Sequence, residues 1–543
     1  MEMNVEQANQ AGMHPNGLAL HHPLAFWCGT LAIVAGVLAH IPMFVCASHM
    51  GYRMAGMQMD AMMLLGMALI PAGLLMAAYG LMPRMSGLRA RDDRRLSSLQ
   101  FHVADGARLN RHHWYLVIVL VIALTIDVMK PATLGFVMPG MTGEYGLGKR
   151  EAGLLALVAL TGTTVGSVVW GLLADRFGRR ATILLSALMF IGTAICGAMP
   201  SFGWNLAMCF LMGASAGGLL PITFTLMAEM IPAAHRGWLL VALGGVGNSA
   251  GYLVAAWAAS LLEPAYGWRV LWLLGLPTGA VIIVLSRMLP ESPRFLANNG
   301  LYEAARGVLA KFAGTVDAGA DTGKAGPEDG QASGLRLLLR GDYAALTIGM
   351  GVAGVAWGLA NFGFLLWLPT NLRAMGMDAA GATGLLAKSA FLALPGTLLV
   401  IWLYHRWSTV GTLVGFILLS ALSLLVFAVL GCFGMQSVPA MAFATVGLLV
   451  SASGVIATLI PYAAEIYPVH LRATGTGVIA AASKLGGILG AGLGLVGMFG
   501  NLALSAVVIA AAMLAAAMLL ARHGIDTRGR RLEDIQGMLS ALP

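Results

Sequence analysis

Long apolar runs recur along the chain, separated by short polar or Gly- and Pro-containing breaks, and this pattern predicts helices that cross a lipid bilayer. A crossing helix needs about 20 mostly apolar residues. Fourteen such runs occur, with approximate ends. They cover 24–45, 61–82, 114–139, 151–173, 181–199, 204–230, 238–262, 268–288, 342–369, 381–404, 409–431, 437–464, 473–497 and 499–521. We therefore predict an all-α polytopic membrane protein with about 14 transmembrane helices.

Composition agrees with this fold class. Of the 543 residues, 58% are hydrophobic and 10% are charged, and the mean hydropathy is +0.81. Soluble domains are about one quarter charged. The five cysteines lie in or beside apolar runs without paired spacing, which argues against disulfides and against a zinc site.

Lys and Arg outnumber Asp and Glu by 32 to 24, and they collect on one side of the alternating topology. The segment 84–113 and the tail 522–531 are especially rich in them. Because short cytoplasmic loops carry excess Lys and Arg, we expect a multi-pass protein of the inner (plasma) membrane with both termini cytoplasmic. This placement explains the basic excess without a nucleic-acid partner.

A polar stretch divides the last twelve helices into two sets of six, and the two sets repeat a motif. Glu229-x-x-Pro-x-x-x-Arg236 recurs 236 residues later as Glu465-x-x-Pro-x-x-x-Arg472. Duplicated helix bundles are typical of transporters with a binding site near the middle of the membrane. The predicted domains are two extra transmembrane helices with a basic cytoplasmic linker (1–113), an N-terminal six-helix bundle (114–288), a cytoplasmic central loop (289–341), a C-terminal six-helix bundle (342–521) and a cytoplasmic tail (522–543).

Residues 171–180 read Gly-x-x-x-Asp-Arg-x-Gly-Arg-Arg, and 290–296 read Pro-Glu-Ser-Pro-Arg-Phe-Leu. With Thr-Arg-Gly-Arg at 527–530, these motifs make 114–535 resemble the major facilitator superfamily, in its sugar-porter and organic-ion (metabolite:proton symporter-like) branch. The resemblance implies two six-helix bundles that open alternately, with a cytoplasmic charge cluster as the gate. The gate residues are Gly171, Asp175, Arg176, Gly178, Arg179, Arg180, Glu229, Arg236, Glu465 and Arg472.

Four charged residues lie deep inside apolar runs, namely Asp127, Lys130, Lys388 and Lys484. Each would cost about 2.5–3.5 kcal/mol against lipid, so we expect them to face a wet interior. Asp127 and Lys130 share a helix face, and Pro131 is expected to break the helix locally. We assign this pair to proton coupling, with a static ion pair as the open alternative.

Lys388 and Lys484 have no acidic neighbour on their own helices, and an anionic substrate is the simplest partner for them. Snorkelling of Lys388 to the headgroups is the competing interpretation. Asn361 and Trp367 belong to an aromatic-rich helix that could form the apolar wall of a carboxylate site, although such residues also serve as packing anchors.

The sequence thus predicts a secondary transporter that couples protons to a small organic anion, either an aromatic or a short-chain carboxylate. A sugar or another neutral metabolite is the first alternative. The second is a membrane sensor or copper-handling protein, because residues 49–63 hold six methionines and thioethers bind Cu(I). We expect a monomer in the bilayer with a small-molecule substrate and protons as partners. No catalytic residue, cofactor or metal ligand is assigned, and we do not expect an enzyme.

Overall fold

The computed structural model describes part of the chain. The described residues are 22–81, 106–299, 302–313, 335–339, 343–365, 368, 395–396, 398–433, 438–495, 498 and 501–539. Two predicted substrate residues, Trp367 and Lys388, lie outside this part. Most of the predicted span 381–404 also lies outside it, although 398–406 is helical.

The described residues are helical and contain no β-strand. Thirteen helical segments in this part are long and apolar enough to cross a membrane. The helices are α1 Pro23–Leu38, α2 Ile41–Cys46, α3 Ala61–Leu81, α4 Arg111–Tyr145, α5 Lys149–Phe177, α6 Arg179–Gly192, α7 Phe202–Met230, α8 Ala233–Tyr266, α9 Val270–Leu273, α10 Gly275–Leu285, α11 Pro293–Asn298, α12 Tyr302–Ala313, α13 Leu335–Leu338, α14 Ala344–Gly358, α15 Thr409–Cys432, α16 Val438–Ile466, α17 Arg472–Leu495, α18 Leu502–His523 and α19 Leu532–Leu539. The predicted all-α membrane fold is confirmed.

Short polar residues start several of these helices. Asn110 accepts hydrogen bonds from the first-turn amides of α4, and the His113 side chain completes a reciprocal capping box. Ser201, Ser408 and Asn501 each accept one backbone N–H at the start of α7, α15 and α18. The first amides of a helix have no partner within the helix, so these caps satisfy them and mark where the helices begin.

Residue contacts divide the chain into two compact units. The first comprises Met1–Pro232 and Val246–Ser333, and the second comprises Ala233–Gly245 and Gly334–Pro543. Each unit therefore combines segments that are far apart in sequence.

Among the described residues, two candidate spans precede Asn110, namely Pro23–Met50, which contains α1 and α2, and α3, and they form a tightly packed extra pair in the first unit. A Cβ at Gly29 of α1 would lie 2.5 Å from backbone atoms of α3, and a Cβ at Gly66 of α3 would lie 2.7 Å from the carbonyl oxygen of Gly36. Small residues allow this backbone contact, which is a main source of helix association in lipid. Ile70 of α3 in turn packs against Gly192 of α6. The extra pair is therefore attached to the helices that follow it.

A carboxylate at the end of α4 holds the loop that joins α2 to α3. Glu144 Oε1 accepts hydrogen bonds from the backbone N–H of Met54 at 2.7 Å and of Ala55 at 2.9 Å. Its two oxygens also receive the Arg269 guanidinium, with Nη2 at 2.7 Å from Oε1 and Nε at 3.2 Å from Oε2. Trp268 Nε1 donates to Oε2 at 2.9 Å. Burial alone would raise the pKa of Glu144, but the bonds and charge of Arg269 and the two amides lower it overall.

Arg269 extends this clamp to a second loop. The side chain is fully buried, and its Nη1 donates to the carbonyl oxygens of Gly197 at 2.9 Å and Met199 at 3.0 Å. One residue further, Pro200 accepts a hydrogen bond from the amide of Gly56 at 2.9 Å. Four segments of the first unit are thereby joined through one ion pair.

We predict that Glu144→Gln destabilises the protein by about 3 kcal/mol, because the Arg269 charge then stays buried without its counter-ion. The apparent Tm of the purified protein in detergent should fall by several degrees. Asp534→Asn is the matched control, since it removes the same charge from an exposed position in the tail. Equal Tm values for the two variants would contradict the clamp.

Candidate functional site

Asp127 and Lys130 lie in the interior of the first unit, with 4% and 2% of their surfaces exposed. Lys130 Nζ donates to the carbonyl oxygen of Phe190 at 2.8 Å and to Thr193 Oγ1 at 2.7 Å, and it lies 4.3 Å from the centroid of the Phe190 ring. The ammonium is thus directed toward the end of α6. Both charged side chains are thus buried within the protein, where they are not exposed to the cost of facing lipid.

The expected helix break after Asp127 is absent. α4 runs without interruption from Arg111 to Tyr145, through Pro131. A proline is tolerated in a membrane helix when neighbouring groups satisfy the freed carbonyl. The shared face of Asp127 and Lys130 is therefore part of a regular helix.

In the second unit, the helix that carries Asn361 packs directly on the helix that carries Lys484. α14 passes into one π-helical turn, Leu359–Phe364, which includes Asn361. A Cβ at Gly358 would collide with the carbonyl oxygen of Ser483 on α17. Lys484 follows Ser483 in the chain and is half-buried, as is Asn361. Two of the predicted substrate residues therefore lie on contacting helices, next to a π-turn of the kind that is frequent at functional sites.

Aromatic rings flank this helix contact. Trp357 Nε1 donates to the carbonyl oxygen of Ala452 on α16 at 2.7 Å, which fixes the indole. The Phe362 ring lies 5.9 Å from the Trp357 ring and nearly perpendicular to it. Phe362 also packs over Gly487 of α17. An amide, an ammonium and two rings thus come from one pair of helices.

The motif predicted to form the gate makes a buried charge network in the first unit. Arg179 Nη2 lies 3.1 Å from Asp175 Oδ1 and 2.9 Å from Glu229 Oε1, and all three side chains are almost fully buried. Arg294 Nη1 donates to the carbonyl oxygen of Glu229 at 2.9 Å. These contacts join the adjoining ends of α5, α6, α7 and α11.

Glu291 completes this network as an N-terminal cap. Its Oε1 accepts from the Arg179 amide at 2.8 Å and its Oε2 from the Arg180 amide at 3.1 Å. Burial raises the pKa of Glu291, although the Arg179 charge and the backbone donors oppose this rise. Gly178 has a φ of +103°, and a Cβ there would lie 2.5 Å from Glu291 Oε2. Only glycine fits this position.

The second unit contains a related network. Glu465 Oε2 accepts from Thr527 Oγ1 at 2.6 Å and from the Tyr404 hydroxyl at 3.1 Å. Asp526 Oδ1 accepts from the Thr409 amide at 3.0 Å and from Thr409 Oγ1 at 2.9 Å. Burial alone would raise the pKa of Asp526, but the hydrogen bonds from Thr409 lower it overall. Asp526 therefore caps α15 as Glu291 caps α6, and the two carboxylates are 235 residues apart.

The remaining gate residues lie near these networks. Arg236 is buried and donates to the carbonyl oxygen of Arg530 at 3.3 Å, and buried Arg472 donates to that of Tyr467 at 3.0 Å. Arg176 is exposed, with its guanidinium 5.5 Å from the centroid of the Phe177 ring. Gly171 is buried within α5.

A cavity of about 190 Å³ lies beside Glu465 in the second unit, with Tyr404, His405 and Arg528 in its wall. It is smaller than the ~300–1,000 Å³ of ordinary small-molecule sites, and its lining does not include Lys484 or Asn361. We assign it to the gate network.

Sequence reasoning missed the capping carboxylates and Tyr404. Glu291 and the tail residues 527–530 stood out as family motifs, but no spacing rule linked Glu291 to Arg179 or Thr527 to Glu465. The 235-residue offset of Glu291 and Asp526, close to the 236-residue repeat, was the available signal.

A family model described as Major Facilitator Superfamily matches residues 116–491. The chain belongs to this superfamily. It is 28% identical to the niacin transporter NiaP of Acinetobacter baylyi over 70% of this chain and 86% of that protein. It is also 28% identical to the 4-hydroxybenzoate transporter PcaK of the same organism, over 75% of this chain and 90% of that one.

Solved structures agree on the fold. The proton:xylose symporter XylE superposes with a TM-score of 0.64 at 19% identity, over 79% of this chain and 99% of that chain. The human organic anion transporter MFSD10 superposes with a TM-score of 0.55 at 16% identity, over 75% and 99%. The predicted family membership is confirmed, and the relatives are transporters and not enzymes. α1 and α3 precede the region that the family model matches.

We predict that Gly178→Ala lowers stability by about 1–3 kcal/mol, because alanine is strained at this φ and its Cβ meets the capping carboxylate. The drop should appear as a lower apparent Tm together with reduced solute uptake. Gly153→Ala in α5 is the control, since no atom lies within 4 Å of a Cβ there and alanine favours a helix. A Gly178→Ala protein as stable as this control would argue against the cap.

Proposed function

We propose that this protein is a secondary active transporter that imports an aromatic monocarboxylate together with protons by alternating access. The main observation behind this proposal is that the helix carrying Asn361 packs directly on the helix carrying Lys484. Proteins similar to this chain support the substrate class, since they include transporters of niacin, 4-hydroxybenzoate, gallate and benzoate.

Each side chain near this contact suits one part of such a solute. The Lys484 ammonium would bind the carboxylate, because a charge-assisted hydrogen bond is strong where water is scarce. The Asn361 amide can donate to the carboxylate or to a ring substituent. The edge of Phe362 offers an apolar surface on which an aromatic ring can pack. Lys388 and Trp367 remain predicted contributors outside the described residues.

Asp127 is the proposed proton carrier. It is a buried carboxylate on a regular helix face in the first unit. Lys130 shares that face and is held by Phe190 and Thr193. In this proposal Lys130 anchors α4 on the end of α6 and so positions the helix face that carries Asp127.

The charge networks around Arg179 and Glu465 would control access from the cytoplasmic side. In this proposal, residues 114–288 and 342–521 form the two bundles. The protein is a monomer in the inner membrane, and both termini lie in the cytoplasm. The similarity to XylE concerns the fold alone, so a sugar remains the weaker alternative.

We predict that Lys484→Gln reduces uptake of radiolabelled 4-hydroxybenzoate or nicotinate by about tenfold or more, since a hydrogen bond to a charged group is lost. Uptake would be measured in cells at equal transporter abundance. Lys484→Arg should retain part of the activity. Lys311→Gln, at an exposed site on α12, is the charge-matched control. Unchanged uptake of every tested carboxylate by Lys484→Gln would refute the anion assignment.

We predict that Asp127→Asn abolishes accumulation driven by an inward proton gradient, while exchange of labelled for unlabelled substrate continues. The amide is close in size to the acid but does not release a proton. Proteoliposomes with imposed pH gradients separate the two activities. If this variant accumulated substrate to the wild-type level in a proton gradient, the coupling group would lie elsewhere. The substrate assignment would be unaffected.

A further inference from the structure

The extra helix pair contains a buried imidazole that the transport proposal does not use. His40, between α1 and α2, is 1% exposed. Its Nδ1 lies 2.8 Å from the carbonyl oxygen of Gly36, which assigns the proton of the neutral ring to Nδ1. Nε2 then carries a lone pair, and it is buried without a hydrogen-bond partner among the described residues.

The His40 ring faces α3. A Cβ at Gly66 would lie 3.0 Å from His40 Cε1, the ring carbon between Nδ1 and Nε2. Met63 lies one turn before Gly66 on α3, and Met43 lies one turn after His40 on α2. These two thioethers are 1% and 8% exposed and belong to one apolar cluster, which Met54 also joins.

The donor set suits a soft monovalent cation. Thioether and imidazole donors favour Cu(I), whereas hard divalent cations prefer oxygen ligands. A ligating histidine commonly donates its other ring N–H to a carbonyl, as His40 does to Gly36. The described residues contain no group of three or more His, Cys, Asp or Glu side chains that could hold a metal ion, so the proposed donors must include thioethers.

We propose that His40, Met43 and Met63 form a binding site for one Cu(I) ion, for which Ag(I) can substitute. Methionine packing alone would leave the buried Nε2 unsatisfied, whereas a bound cation uses its lone pair. The site lies in the extra helix pair and shares no residue with the proposed proton carrier or the proposed substrate site. It is therefore independent of the proposed substrate.

The test uses the full-length protein in nanodiscs under anaerobic conditions, titrated with Cu(I) against bicinchoninate and separately with Ag(I). We expect one tightly bound equivalent, with nitrogen and sulfur neighbours in X-ray absorption spectra.

The double variant Met43→Leu with Met63→Leu keeps the side-chain volume and should weaken binding by about tenfold or more. His40→Phe should weaken it similarly. Met350→Leu with Met513→Leu removes two equally buried thioethers in the second unit and should leave binding unchanged.

Cys46 provides the decisive second control, because its thiol is exposed near the site. Cys46→Ser should bind Cu(I) as the wild type does. Loss of binding in Cys46→Ser, unchanged binding in the Met43→Leu and Met63→Leu variant, or the absence of a bound equivalent in the wild type would each overturn the proposal. Uptake of 4-hydroxybenzoate in the same variants reports separately on transport.

Discussion

A charged side chain inside a helix bundle costs several kcal/mol unless the bundle supplies its partners, and this protein meets that requirement repeatedly. Arg179 is enclosed by Asp175 and Glu229. Arg269 is held by Glu144, and Lys130 by a carbonyl and a hydroxyl at the end of α6. The contacts with Glu229, Glu144 and Phe190 join helices or loops that lie at least 50 positions apart in sequence. The positions of the helix ends therefore depend on charge compensation, while apolar surface and small residues set how closely the helices approach.

Close helix approach shapes the candidate substrate site. Gly358 on α14 and Gly486 on α17 bring the two backbones together, and this contact sets the π-turn with Asn361 beside the helix of Lys484. Fixed indole and phenyl rings border the same contact. The polar groups near this contact thus lie on closely packed helices, and such preorganisation reduces the ordering cost of binding a small solute.

The spans and the unusual charges were predictable because hydropathy and the cost of ions in lipid act on local sequence. The uninterrupted helix through Pro131 and the direction of the Lys130 side chain toward Phe190 were not predictable, since both depend on neighbouring helices. The ion pair of Glu144 with Arg269 joins residues 125 positions apart, and no periodicity reports such a contact. Lys484 and Asn361 could each be selected from sequence, but the contact between their helices depends on glycines whose packing only the fold reveals.

Glu291 and Asp526 cap equivalent helices in the two predicted sets of six spans. Each predicted repeat would therefore extend past its sixth span to the carboxylate that follows it, because that carboxylate completes the first turn of a helix three spans earlier. In the second copy this residue lies beyond His523, the end of α18. A split version of the protein, or a reporter fused to it, would therefore preserve the second repeat only if the junction came after Thr527.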